Sequence, residues 1–118
     1  MIFYNDINTG NNYLDEALEN YLMRGFEPGG FLTSVLANDL RLALGRADYW
    51  NKQNIDLIVD AVAQDVPAIA QGSYQCVKDW CTDKNGCRSA YVAHKEKEFT
   101  WKALKGDVRE KNTQDPLF

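Results

Sequence analysis

EPGGFLTSVLANDLRLALGRADYWN, residues 27–51, is the stretch whose reading decides the fold. Glu27-Pro28-Gly29-Gly30 cannot propagate a helix, because Pro lacks an amide donor and the paired glycines add backbone freedom. From Phe31 the apolar residues recur as Phe31, Leu32, Val35, Leu36, Leu40, Ala43 and Leu44, the spacing of one helical face. The pattern predicts a buried helix from about Gly30 to Leu44, interrupted at Gly45. A further helix opens near Arg46–Asp48, where the short carboxylate of Asp48 offers an N-cap for unpaired amides. Asn38, Asp39, Arg46, Asp48 and Asn51 stand unusually close to the apolar stripe. The favoured reading of this set is a hydrogen-bonded network fixing the corner between two helices, with Arg46 pairing to Asp39 across Gly45 or to Asp48. The competing reading is a ligand or partner site.

Outward from this stretch the punctuation continues. Upstream, Met1-Ile2-Phe3-Tyr4 reads as a short extended piece, followed by a turn-rich Asn5–Gly10. Asn11 or Asn12 then caps a helix carrying Leu14, Leu18, Tyr21 and Leu22, stopped by Gly25. Downstream, Trp50, Ile55, Ile58, Val59, Val62 and Val66 form a third helical face closed by Pro67. Ser73 caps a fourth helix with Val77 and Trp80, and Asn85-Gly86 marks a turn. Residues 88–105 are divided between a hairpin, suggested by their aromatic and β-branched residues, and a helix, suggested by His94–Glu98 and Lys102–Lys105; helix is preferred. Glu110–Phe118 reads as a loose end unless Leu117 and Phe118 dock. The expected architecture is one mainly α domain over 1–118, a small bundle of four to five helices.

Composition narrows the function. At 118 residues with 45% apolar content, three Trp, six Tyr and five Phe, the chain suits a single folded domain. No apolar run approaches the roughly 20 residues that cross a bilayer, so no membrane partner is expected. The N-terminus carries Asp6 and no Lys or Arg, unlike a signal peptide. The net charge of −4 is uneven: residues 1–77 hold four Lys/Arg against ten Asp/Glu, and residues 78–118 hold nine against seven. An acidic body repels phosphate, which disfavours nucleic acid as a direct ligand. It attracts a basic surface on another protein instead.

Candidates for chemistry are few. Cys76, Cys81, Cys87 and His94 form C-x4-C-x5-C-x6-H, in principle a tetrahedral zinc shell. No pair has the short knuckle spacing such sites start from, and an offset of five on a helix turns Cys76 and Cys81 about 140° apart. Ordinary thiols and a surface histidine are the preferred reading. A Cys87–His94 or Cys81–His94 nucleophile pair lacks an evident orienting carboxylate. Asp15, Glu16 and Glu19, and the i,i+4 pair Asp56 and Asp60, read as solvated faces rather than ion sites. No cofactor is expected.

The run PGGFLTSVLANDLRLALGRADYWN, followed by Ile58-Val59, Pro67, Gly72-Ser73, Val77 and Trp80, resembles a family of small proteins of tailed bacteriophages and prophages. The resemblance covers about Tyr21 to Trp80 and is most specific in its NDL and RAD elements: Asn38, Asp39, Leu40, Arg46, Ala47, Asp48 and Asn51. It implies a viral accessory protein made in the host bacterial cytoplasm and brings no activity with it. Cys76 and Cys81 are not part of the pattern, and residues from about Thr82 to Phe118 form a divergent extension. The leading expectation is a non-enzymatic protein that binds a host protein with a basic surface, inhibition of a defence system (anti-CRISPR activity included) being one form of this. Trp50 and Trp101 are the candidate aromatic anchors. The alternatives are a phage assembly protein acting as a homo-oligomer, and a zinc or thiol module in the C-terminal extension.

Overall fold

The computed structural model describes residues 3–105. Seven α-helices follow in chain order: α1 (Asn12–Arg24), α2 (Gly30–Leu36), α3 (Leu40–Arg46), α4 (Tyr49–Gln53), α5 (Ile55–Asp65), α6 (Tyr74–Cys81) and α7 (Cys87–Leu104). Single 3-10 turns at Ala68–Ala70 and Lys84–Gly86 join the last three. The protein is mainly helical, with no strand among the described residues. Phe3 and Tyr4 are therefore not a strand, while Met1, Ile2 and the expected loose end at Glu110–Phe118 lie outside the described residues.

Seven helices replace the expected four to five because two predicted helices are each broken once. The 30–44 helix stops at Leu36. Asn38 takes a left-handed conformation (φ 62°), and Asp39 restarts the chain as the cap of α3, accepting from the Leu42 amide at 3.2 Å. An Asn adopts this conformation more readily than most side-chain-bearing residues, since its short amide tolerates the left-handed well. The helix beginning at Asp48 breaks at Asn54, whose side-chain amide donates back to the Trp50 carbonyl at 2.9 Å. The anticipated caps are all in place elsewhere. Asn11 accepts from the Tyr13 amide, Asp48 from Asn51, and Ser73 from Cys76. Gly25 ends α1 at φ 71°, and a Cβ there would stand 2.7 Å from the Arg88 guanidinium, which itself donates to the Trp80 carbonyl. Only a glycine lets Arg88 lie flat across this helix end.

Leu18, Tyr21 and Leu22 of α1, Leu32 and Leu36 of α2, Ile58 and Val62 of α5, and Val77 and Trp80 of α6 form the core. Its centre is polar-stitched: the Trp80 indole donates to the Tyr21 carbonyl at 3.0 Å, and the Tyr21 hydroxyl donates to the Ala70 carbonyl at 2.7 Å. Both aromatics are thus fully buried with their polar atoms satisfied. Burial holds the Tyr21 phenol strongly toward its neutral form, with the charges of Cys81 and Cys76 adding to the effect. α7 is tied to this body by Tyr91, which packs edge-on against Trp80 at 5.4 Å and bonds Asn5, and by Phe99 against Tyr4.

α3 departs from expectation. Ala43 is fully buried, but Leu40 is 55% exposed and Leu44 37%. The left-handed turn at Asn38 re-aims the chain, so the stripe of α2 does not continue into α3. The molecule is also thin, with principal extents of 44 × 38 × 19 Å. At about 10 Å per helix, that is about two layers, and a two-layer slab has no third layer to cover outward apolar residues.

Candidate functional site

The polar set at the α2–α3 corner braces the fold. Asp39 accepts from the Leu42 amide through one oxygen and from the Tyr74 hydroxyl, at 2.7 Å, through the other. These bonds, the Tyr74 one foremost, hold its carboxyl below the usual range, with a smaller contribution from the charges of Arg46 and Arg41. Arg46 makes no ion pair with Asp39 or Asp48. Its guanidinium turns back to the Gly30 carbonyl and the Ser34 hydroxyl, each at 3.2 Å, because these acceptors, one turn apart on α2, lie within its reach. Asn38 supplies the left-handed turn and is exposed. Asp48 caps α4, and Asn51 is 8% exposed with its side-chain oxygen unpartnered among the described residues.

Two carboxylates expected on a solvated face are buried instead. Asp15 and Glu19 are 1% and 2% exposed, whereas Glu16 faces water. Glu19 accepts from the amides of Tyr4 and Asn5 and from the Asn5 side chain, at 2.9–3.1 Å. Asp15 accepts from the Thr9 amide at 2.8 Å and its hydroxyl at 2.7 Å. An extended segment offers amides that no ladder satisfies, and α1 supplies the acceptors. The signal was present in the sequence: at 100° per residue Asp15 and Glu19 fall beside Leu18 and Leu22, and Glu16 falls outside that arc.

The Cys/His set is not brought together. The three thiols are unbonded and half-buried, and Cys81 and Cys87 pack at the edge of the core. Burial foremost, then the charge of Glu27, pushes the Cys81 thiol up, against the counteracting Arg88. His94 points to Glu98, 3.5 Å away on its own helix. Among the described residues no group of three or more His, Cys, Asp or Glu is arranged to hold a metal. On α6 the offset of five residues turns Cys76 and Cys81 about 140° apart, which separates the first two members of the set.

The two tryptophan anchors sit in different surroundings. Trp101, 61% exposed, lines an open depression of about 410 Å³ with Ala93, Lys97, Thr100 and Leu104 along one face of α7. Trp50, 38% exposed, lies beside Leu57, which is 45% exposed: a Cβ on Gly10 would stand 3.1 Å from Leu57 and 3.7 Å from the Trp50 ring. Gly10 (φ 85°) therefore lets the N-terminal segment lie flush against both side chains. Leu57 was outside the anticipated stripe, and only the Gly10 loop reveals that it adjoins Trp50. On the same helix Asp56 and Asp60 are exposed, and neither makes an ion pair among the described residues.

No described helix is long and apolar enough to cross a membrane. Comparison with protein-family models, with curated proteins and with solved structures gives no match for this chain.

Proposed function

We propose that this chain is a non-enzymatic accessory protein of bacteriophage origin that acts in the bacterial cytoplasm by binding a host protein with a basic surface. Inhibition of a host defence system, anti-CRISPR activity included, is one form of action such binding would take. The observation that carries the reading is Trp50 and Leu57 held at the surface of an acidic body, Trp50 on α4, which Asp48 caps, and Leu57 on α5. Aromatic anchors set in a rigid frame lose little entropy on binding, and carboxylates around them favour a cationic partner. The NDL and RAD elements, which support the phage origin, include Asn38, Asp39 and Arg46, which brace the α2–α3 corner, and Asp48, which caps the helix carrying Trp50. The test is capture from bacterial lysate at physiological salt with the tagged full chain. One host protein recovered in stoichiometric amount, and released by raised salt, supports the reading; recovery of the bait alone contradicts it.

A second reading, assembly as a homo-oligomer, draws on the open stripe of α7, where Leu104 is 78% exposed beside Trp101. Static light scattering separates the two. A stable symmetric multimer that dissociates on Trp101→Ala favours assembly, and a monomer favours the host-protein binder.

A further inference from the structure

We infer that the Trp50–Leu57 face, rimmed by Asp56 and Asp60, is a docking surface for a basic amphipathic helix of a partner protein; this rests on the host-binding reading above and names the surface that performs it. Three observations converge. The first is adjacency: the Gly10 contacts place the Trp50 ring and the Leu57 side chain side by side, both more than a third exposed. Together they offer an apolar floor with an aromatic centre, the composition enriched where binding energy concentrates.

The second is charge. α5 carries Asp56, Asp60 and Asp65 and no basic residue, and Asp60 lies one turn from Leu57 on the helix surface. Asp56 and Asp60 make no ion pair among the described residues, so both carboxylates are open to a partner's cations, and the exposed Lys52 is the one basic residue of neighbouring α4. The third is pre-organisation. Gly10 lies against the outer ends of both side chains, Leu57 Cδ2 and the Trp50 ring, and the segment leading to it is anchored through Thr9 to the buried Asp15. The contact limits where the two side chains can turn.

An occupant must present apolar residues on one face and cations beside them. A helix with Leu-type residues at i, i+3 and i+4 and Lys or Arg on the flanks meets both demands. An acidic or neutral helix satisfies only the floor and leaves the two carboxylates to be desolvated without a partner.

The experiment uses the full chain with a synthetic Leu/Lys amphipathic peptide of about four helical turns, and a Leu/Glu peptide of the same pattern, titrated by calorimetry. Saturable binding of the Leu/Lys peptide is expected, weakened about tenfold or more by Trp50→Ala and by the double change Asp56→Lys/Asp60→Lys, and unchanged by Trp101→Ala. The charge reversals alter only exposed side chains, so they probe the surface even if Trp50→Ala disturbs its packing on Gly10. Equal affinity for the Leu/Glu peptide, absence of saturable binding, or wild-type affinity in the charge-reversed chain would overturn the assignment. Undiminished capture of the host protein by the charge-reversed chain would remove this surface while leaving host binding intact.

Discussion

Asp15 and Glu19 carry more of this molecule than two carboxylates on a surface helix would. They convert an extended segment with no ladder partner into part of the body, by accepting five hydrogen bonds from Tyr4, Asn5 and Thr9. Glu19→Ala strands three donors in a buried position and is expected to lower stability by about 3 kcal/mol, whereas Glu16→Ala changes it by less than about 0.5 kcal/mol. Urea denaturation of the two variants checks the contrast. Asp39 is a gentler case. Its carboxyl is held low chiefly by the Tyr74 hydroxyl, so the stabilisation is present above the ordinary carboxylate range and is lost as pH falls through the lowered folded value. Tyr74→Phe is expected to move the Asp39 titration upward toward that ordinary range, read by side-chain NMR; an unmoved titration would remove Tyr74 as the cause.

At the scale of elements, the junctions decide the outcome. Asn38 occupies the left-handed region between α2 and α3. Asn38→Gly is expected to be neutral or stabilising by up to about 1 kcal/mol, and Asn38→Val to cost about 1–2 kcal/mol, by the same denaturation measurement. Much of this layer was legible in the sequence. The caps Asn11, Asp48 and Ser73, the stop at Gly25 and the Asn85-Gly86 turn are local chemistry that needs no tertiary context. The breaks at Asn38 and Asn54 were not, since an Asn inside a periodic apolar pattern is compatible with a continuous helix until packing selects the kink. Leu40 and Leu44 were misplaced for the same reason: periodicity reports a stripe but not the rotation that a left-handed residue imposes on the helix after it.

For the whole molecule, a slab 19 Å thick explains why an apolar-rich chain still holds Leu40, Trp50, Leu57, Trp101 and Leu104 at its surface. The surface proposed for binding was only half legible: Trp50 is conspicuous as an aromatic, but Leu57 adjoins it at Gly10, a contact with no sequence signature. The core carries a pH signature of its own. Burial foremost, then the charges of Glu19, Glu98 and Asp65, pushes the Tyr91 phenol up to about 12, and burial pushes Tyr21 in the same direction. Above the ordinary tyrosine range of about 10 the unfolded chain loses these protons first, so folding stability falls as pH rises from there. Urea midpoints measured across that alkaline range are expected to decline, less steeply in Tyr91→Phe.

The helical slab seals Trp80 at its centre and holds Trp50 and Trp101 outward. Acrylamide quenching of three chains, each keeping one tryptophan with the other two changed to Phe, tests it directly. Trp101 is expected to be the most accessible, Trp50 intermediate and Trp80 nearly unquenched, following their exposures of 61%, 38% and 2%. Free quenching of Trp80, or protection of Trp50 equal to it, would contradict both the core and the surface built upon it.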